Sequence, residues 1–166
     1  PDVIDGGEGT DVLNFGAAVN WTVAAEDLNI VNVERITFDS TGNASITVND
    51  AVYTTAGATD MDIRDTEGTG TFTVVASSLS AANSITVTTS AAAIVDTITG
   101  GAGDDTLKVT TSVAGAWAAT DTFTGGKGTY EMIITVCAAA LTQATQTGVT
   151  AFEKISFIGT TATASN

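Results

Sequence analysis

Histidine does not occur in the 166-residue sequence, and cysteine occurs once, as Cys137. Without histidine the commonest general base, the usual catalytic triads and the imidazole-dependent zinc sites are gone. A lone cysteine forms no intrachain disulfide, and Cys137, set in an apolar run, reads as a small buried hydrophobe. Basic residues are also scarce: 5 Lys and Arg stand against 19 Asp and Glu, a formal charge of −14. Such a chain repels phosphate backbones and anionic membrane surfaces, which argues against nucleic acid as a partner and favours cations. No apolar run approaches the roughly 20 residues of a membrane-spanning helix, so membrane insertion is not expected, and the N-terminus has no signal-peptide pattern. Proline occurs only as Pro1, inside what reads as a repeat, so the chain is expected to be a fragment of a larger protein.

What the chain has is strand-forming sequence. Its apolar fraction of 43% suffices for a core, and its dispersed charges are not those of a disordered tail. Apolar and polar residues alternate with period two in SITVN (45–49), TFTVV (71–75), SITVTT (84–89), LKVTT (107–111) and KISFI (154–158). These predict short half-buried strands separated by Gly, Asn, Asp and Ser turns. Helical signals are weak, at most a turn or two in VAAEDL (23–28) and VCAAALTQATQ (136–146). The expected class is all-β.

An internal repeat organises the rest. DVIDGGEGTDVL (2–13) aligns with DTFTGGKGTYEM (121–132), and NVERITF (32–38) with AFEKISF (151–157), both at an offset of 119 residues. A further glycine turn lies at 100–105. The expected organisation is one domain over 1–166, with related units at 2–38 and 121–157 and a β-rich middle section at 39–120.

The glycine turns carry the chemistry. GGAGDD (100–105) followed by TL, and GGEGTD (6–11) followed by VL, both fit G-G-x-G-x-D-x-U, a calcium-binding β-helix repeat. Glycine lets successive carbonyls turn toward one point, and the closing aspartate adds a carboxylate. Calcium takes six to eight such oxygens at flexible geometry. The candidate ligand residues are Asp2, Asp5, Gly6, Gly7, Gly9 and Asp11 in the first turn, and Asp96, Gly100, Gly101, Gly103, Asp104 and Asp105 in the second. In the third, Gly126, Gly128 and Asp121 are candidates, although Tyr130 stands where the aspartate belongs and Lys127 lies inside the loop; Asp121 or Glu131 would have to compensate.

These motifs closely resemble the repeats of RTX proteins, a secreted family whose parallel β-rolls bind calcium between stacked turns. The resemblance implies a β-solenoid, with coils of 18–25 residues placing the turns at 100–105 and 125–130 one above the other; regular short strands would also suit a β-sandwich. The nonapeptides here are isolated rather than in tandem. Together with IVNVERITF (30–38) and GVTAFEKISF (148–157), this resembles the surface-layer and large surface-adhesin branch of the family. That likeness implies a calcium-stabilised structural module on the cell surface, whose partners are calcium ions and neighbouring copies of itself in a lattice or filament. The alternative it leaves is a calcium-folding adhesin or binding module.

Other features read plainly. The Glu34-Arg35 and Glu153-Lys154 pairs suggest edge charges or cross-strand pairing. Asp60 and Asp62 would share a strand face where calcium could bind, with a solvated acidic loop the favoured reading of TDMDIRDTEG (59–68). Trp21 and Trp117 are ordinary core material. The chain has no G-x-S-x-G nucleophile motif and no carboxylate pair in the context of a substrate cleft, so no enzyme is expected.

Overall fold

In the computed structural model, residues 3–16, 21–24, 30–39, 41–53, 60–66, 69–90, 95–111, 120–136 and 148–159 are described. The alternation of apolar with Thr and Ser residues does what period two dictates. One set of side chains faces inward along each strand, and the other faces solvent.

One sheet takes seven strands: β2 (Val12–Gly16), β5 (Arg35–Asp39), β7 (Asp60–Asp65), β9 (Ser84–Thr89), β11 (Thr106–Thr111), β13 (Glu131–Val136) and β15 (Lys154–Ile158). A second takes six: β3 (Trp21–Ala24), β6 (Ala44–Asn49), β8 (Phe72–Ser78), β10 (Asp96–Thr99), β12 (Thr122–Thr124) and β14 (Val149–Thr150). β1 (Ile4–Asp5) and β4 (Ile30–Val31) form a short third ladder. Every ladder is parallel, and sequence neighbours along the chain lie in different sheets. The chain therefore winds as a β-solenoid. The seven-stranded sheet steps from Val12 to Arg35, Asp62, Thr86, Thr106, Glu131 and Lys154, so coils run from 20 to 27 residues. The β-sandwich alternative fails, because its antiparallel pairing is not that of these ladders.

The core sits between the two sheets as stacked columns. Leu13, Ile36, Ile63, Val87, Leu107, Met132 and Ile155 follow one another in register down the larger sheet. Ile46, Val74, Ile98 and Phe123 form the facing column and are almost fully buried. Phe15 stacks on Phe38 at 5.2 Å between ring centroids, and Phe38 meets Phe72 at 5.8 Å. Stacking like residues on like residues lets each coil bury its apolar face only against the next.

Three expectations change. Val23 and Ala24 lie in β3 and Val136 ends β13, so the described parts of both weakly helical segments are strand; the remainder, with Cys137, lies outside the described residues, as does Trp117. A short 3-10 turn at Asp50–Tyr53 was not expected from the sequence. Asp60 to Asp65 form strand β7 rather than an acidic loop. There Asp62 accepts hydrogen bonds from Arg35 (2.9 Å) and Arg64 (2.8 Å). Burial works against its ionisation, but those bonds and the two positive charges hold its pKa below the usual range.

Candidate metal-binding turns

The glycine turns occupy one corner of the solenoid, where the chain passes into the seven-stranded sheet. Gly6–Asp11 joins β1 to β2, Gly100–Asp105 joins β10 to β11, and Gly125–Tyr130 joins β12 to β13. Asn32–Glu34 and Ala151–Glu153 hold the same corner in the coils that follow the first and third turns.

Close backbone approach explains why glycine is used. Thr97 to Thr99 pair with Thr122 to Thr124, a step of 25 residues, which lays the third turn on the second. Gly100 N–H donates to the Thr124 carbonyl (3.0 Å), and Lys127 N–H donates to that of Gly101 (3.0 Å). A Cβ on Gly126 would lie 1.5 Å from the Gly101 carbonyl oxygen, and one on Gly128 would lie 2.1 Å from that of Gly103. The stacking of 100–105 and 125–130 is thus as the coil period implied. In the first turn, Gly7 and Gly9 have φ of 91° and 125°, the left-handed region where a side chain is strained.

The first turn has an unpartnered carboxylate oxygen. Asp5 Oδ1 accepts from Gly7 N–H (3.1 Å) and from Asn32 Nδ2 (2.7 Å), tying the turn to the coil that follows it. Asp11 N–H donates to Glu34 Oε2 at 2.8 Å. Asp11 Oδ2 is buried and has no hydrogen-bond partner. A buried acceptor of this kind is costly unless something positive meets it.

The second turn is closed. Asp105 is buried, with Oδ1 accepting from Ile85 N–H and Oδ2 from Gly101 N–H, each at 2.8 Å. Its pKa is raised, chiefly by burial, although the two N–H donors and the Tyr130 hydroxyl pull it back down. Asp104 remains at the surface, accepting from Thr129 N–H (2.8 Å).

Two candidates lie elsewhere. Asp96 and Asp121 sit at the opposite end of the six-stranded sheet, each four residues before its turn, or about 13 Å of extended chain. Asp121 Oδ1 accepts from Asp96 N–H (3.0 Å), and both residues are buried, as is Asp65. Burial, with the charges of Asp121 and Asp65, pushes the Asp96 carboxyl up to about 8. These residues are buried acids of the second corner and do not join the glycine turns, because the strands between them run straight. Asp2 lies outside the described residues.

Sequence reasoning missed the role of the two glutamates. Glu153 Oε2 accepts from Tyr130 N–H at 2.6 Å, repeating the bond of Glu34 to Asp11. The shared offset of 119 residues was the available signal, but it does not name the bond. Glu131, offered as a compensating ligand, instead pairs with Lys154 Nζ (2.8 Å) and Ser156 Oγ (2.7 Å) on the outer face.

The family of RTX calcium-binding nonapeptide repeats matches the chain at residues 1–20 and 95–108. The chain carries RTX calcium-binding repeats. No curated protein and no solved structure matches it. Calcium is the ion that RTX repeats bind, and both matched segments contain a glycine turn. Among the described residues no three acidic side chains converge on one point. An ion at the first RTX turn would therefore draw on backbone carbonyls and water together with carboxylate, a mixture calcium accepts. The unpartnered Asp11 Oδ2 fits that need. No described helix is long and apolar enough to cross a membrane.

Proposed function

We propose that the chain is a calcium-stabilised structural module of a secreted bacterial surface-layer or surface-filament protein, without enzymatic activity of its own. The RTX repeats and the parallel solenoid supply the calcium-dependent, stiff body that such a role requires.

One observation carries the assembly reading. The core columns of the larger sheet run on into β15, where Ile155 and Phe157 take the positions above Met132 and Ile134. Met132 and Ile134 are fully buried, whereas Ile155 and Phe157 are 46% and 57% exposed. Among the described residues β13 is the one strand that pairs with β15, so the outer edge of β15 is a template for another parallel strand. A further parallel coil laid there would extend both the ladder and the core, and a neighbouring copy is the source the assembly reading requires.

Electron microscopy and sedimentation of the purified chain in millimolar calcium test this directly. Sheets or filaments that disperse on chelation are expected. Strict monomers at high calcium would overturn the assembly role and favour the adhesin or binding-module reading.

A further inference from the structure

Tyr130 stands at the motif position that aspartate holds in the other two turns, and its side chain does not point to solvent. It is 1% exposed and packs edge-on against Phe152, with ring centroids 5.1 Å apart at 86°. Its other end runs into the turn beneath. An ideal Cβ on Gly100 would lie 1.4 Å from the Tyr130 hydroxyl oxygen, 2.0 Å from Cζ and 2.2 Å from Cε2. The phenol tip thus occupies the space that the side-chain-free Gly100 leaves between the stacked turns.

We infer that Tyr130 decides which glycine turn takes calcium: it plugs the space between the turns at 100–105 and 125–130, leaving Asp105 an ion-free structural carboxylate and the first turn the one open to the ion. The inference rests on the reading of these turns as calcium sites.

Three observations support it. Both oxygens of Asp105 already accept a buried main-chain N–H group, so each has less capacity left for a cation than the unpartnered Asp11 Oδ2. The Tyr130 hydroxyl oxygen is buried and fills the space beside Gly100. An aromatic ring in the cleft also displaces the water and carbonyl oxygens with which calcium completes a shell of six to eight. In the first turn the aligned position is Asp11, where Oδ2 is buried and free, and Glu34 caps the adjoining N–H. The same turn shape is therefore closed in two ways, by an ion in the first coil and by a phenol in the sixth.

The test uses the whole chain. Native mass spectrometry counts calcium ions on the wild type, on Asp11→Asn and on Asp11→Asn combined with Tyr130→Asp. Amide hydrogen exchange of the wild type with calcium and with EGTA accompanies it, because it needs no variant to fold. The expected results are loss of one ion in Asp11→Asn and recovery of an ion when Tyr130→Asp is added. EGTA should deprotect the Asp11 amide and leave Gly101 and Ile85 unchanged. If Asp11→Asn keeps every ion and EGTA exposes Gly101 and Ile85, the inference falls while calcium binding stands. If the wild type and the double variant take up no calcium at all, both fall.

Discussion

The carboxylate of Glu34 accepts the main-chain N–H of Asp11 at 2.8 Å, across one step of the solenoid. Glu153 does the same for Tyr130 at 2.6 Å, 119 residues further along at both ends of the bond. What repeats is a glycine turn whose closing amide is capped by the next coil. Replacing Glu153 with Ala strands the Tyr130 N–H, a loss of about 1–3 kcal/mol. Glu153→Gln keeps a neutral acceptor and should lose about half as much. Urea midpoints of the two variants check the order.

Asn32 and Ala151 share that offset, and both adopt positive φ, 53° and 58°. Asparagine tolerates this conformation, whereas alanine there carries a penalty of about 1–2 kcal/mol. Ala151 is exposed, so nothing around it need move. Ala151→Asn should therefore stabilise the chain by about 0.5–1 kcal/mol, and a thermal melt showing no gain would contradict the assignment.

The glycines divide into two kinds. Gly7 has φ of 91° and open space around it, so Gly7→Ala costs only backbone strain, about 1–2 kcal/mol. Gly126 faces the Gly101 carbonyl oxygen, which an added Cβ would approach to 1.5 Å. Gly126→Ala forces the coils apart and should cost about 3 kcal/mol or more. Equal losses in denaturant unfolding would contradict the stacking.

The buried acids of the opposite corner set a pH dependence. Asp96 is 2% exposed, and its folded-state pKa of about 8 lies far above the 3.8 of a free aspartate. Between those values the folded chain holds a proton that the unfolded chain has released. Stability contributed by this group is thus complete below pH 4 and is lost as pH rises toward 8. Asp96→Asn should flatten that decline and melt higher than the wild type at pH 8. A wild-type melting temperature that climbs steadily from pH 5 to pH 8 would contradict it.

Much of the fold was legible. SITVTT matches β9 (Ser84–Thr89), alternately half-buried and buried as period two predicts. KISFI matches the strand β15 (Lys154–Ile158) but is largely exposed rather than half-buried, because no described coil covers it. The stacking of two turns followed from their spacing. Less of the site was legible. Asp96 and Asp121 sit one strand length before their turns, and the sequence does not show that β10 and β12 carry them away from the corner. Nor does a tyrosine in an aspartate's place reveal that its hydroxyl reaches Gly100 in the coil below, since that contact depends on the register between coils. The choice between parallel solenoid and sandwich was open for the same reason: period two is common to both.

The melting temperature of the chain in EGTA and in excess calcium tests the central claim that calcium holds this solenoid together. A site with a dissociation constant of about 0.1 mM, at about 10 mM ion, adds about 2.7 kcal/mol. In a chain of this size that corresponds to a rise of about 5–10 °C, reversed by chelation. A melting temperature that calcium leaves unmoved would contradict the account.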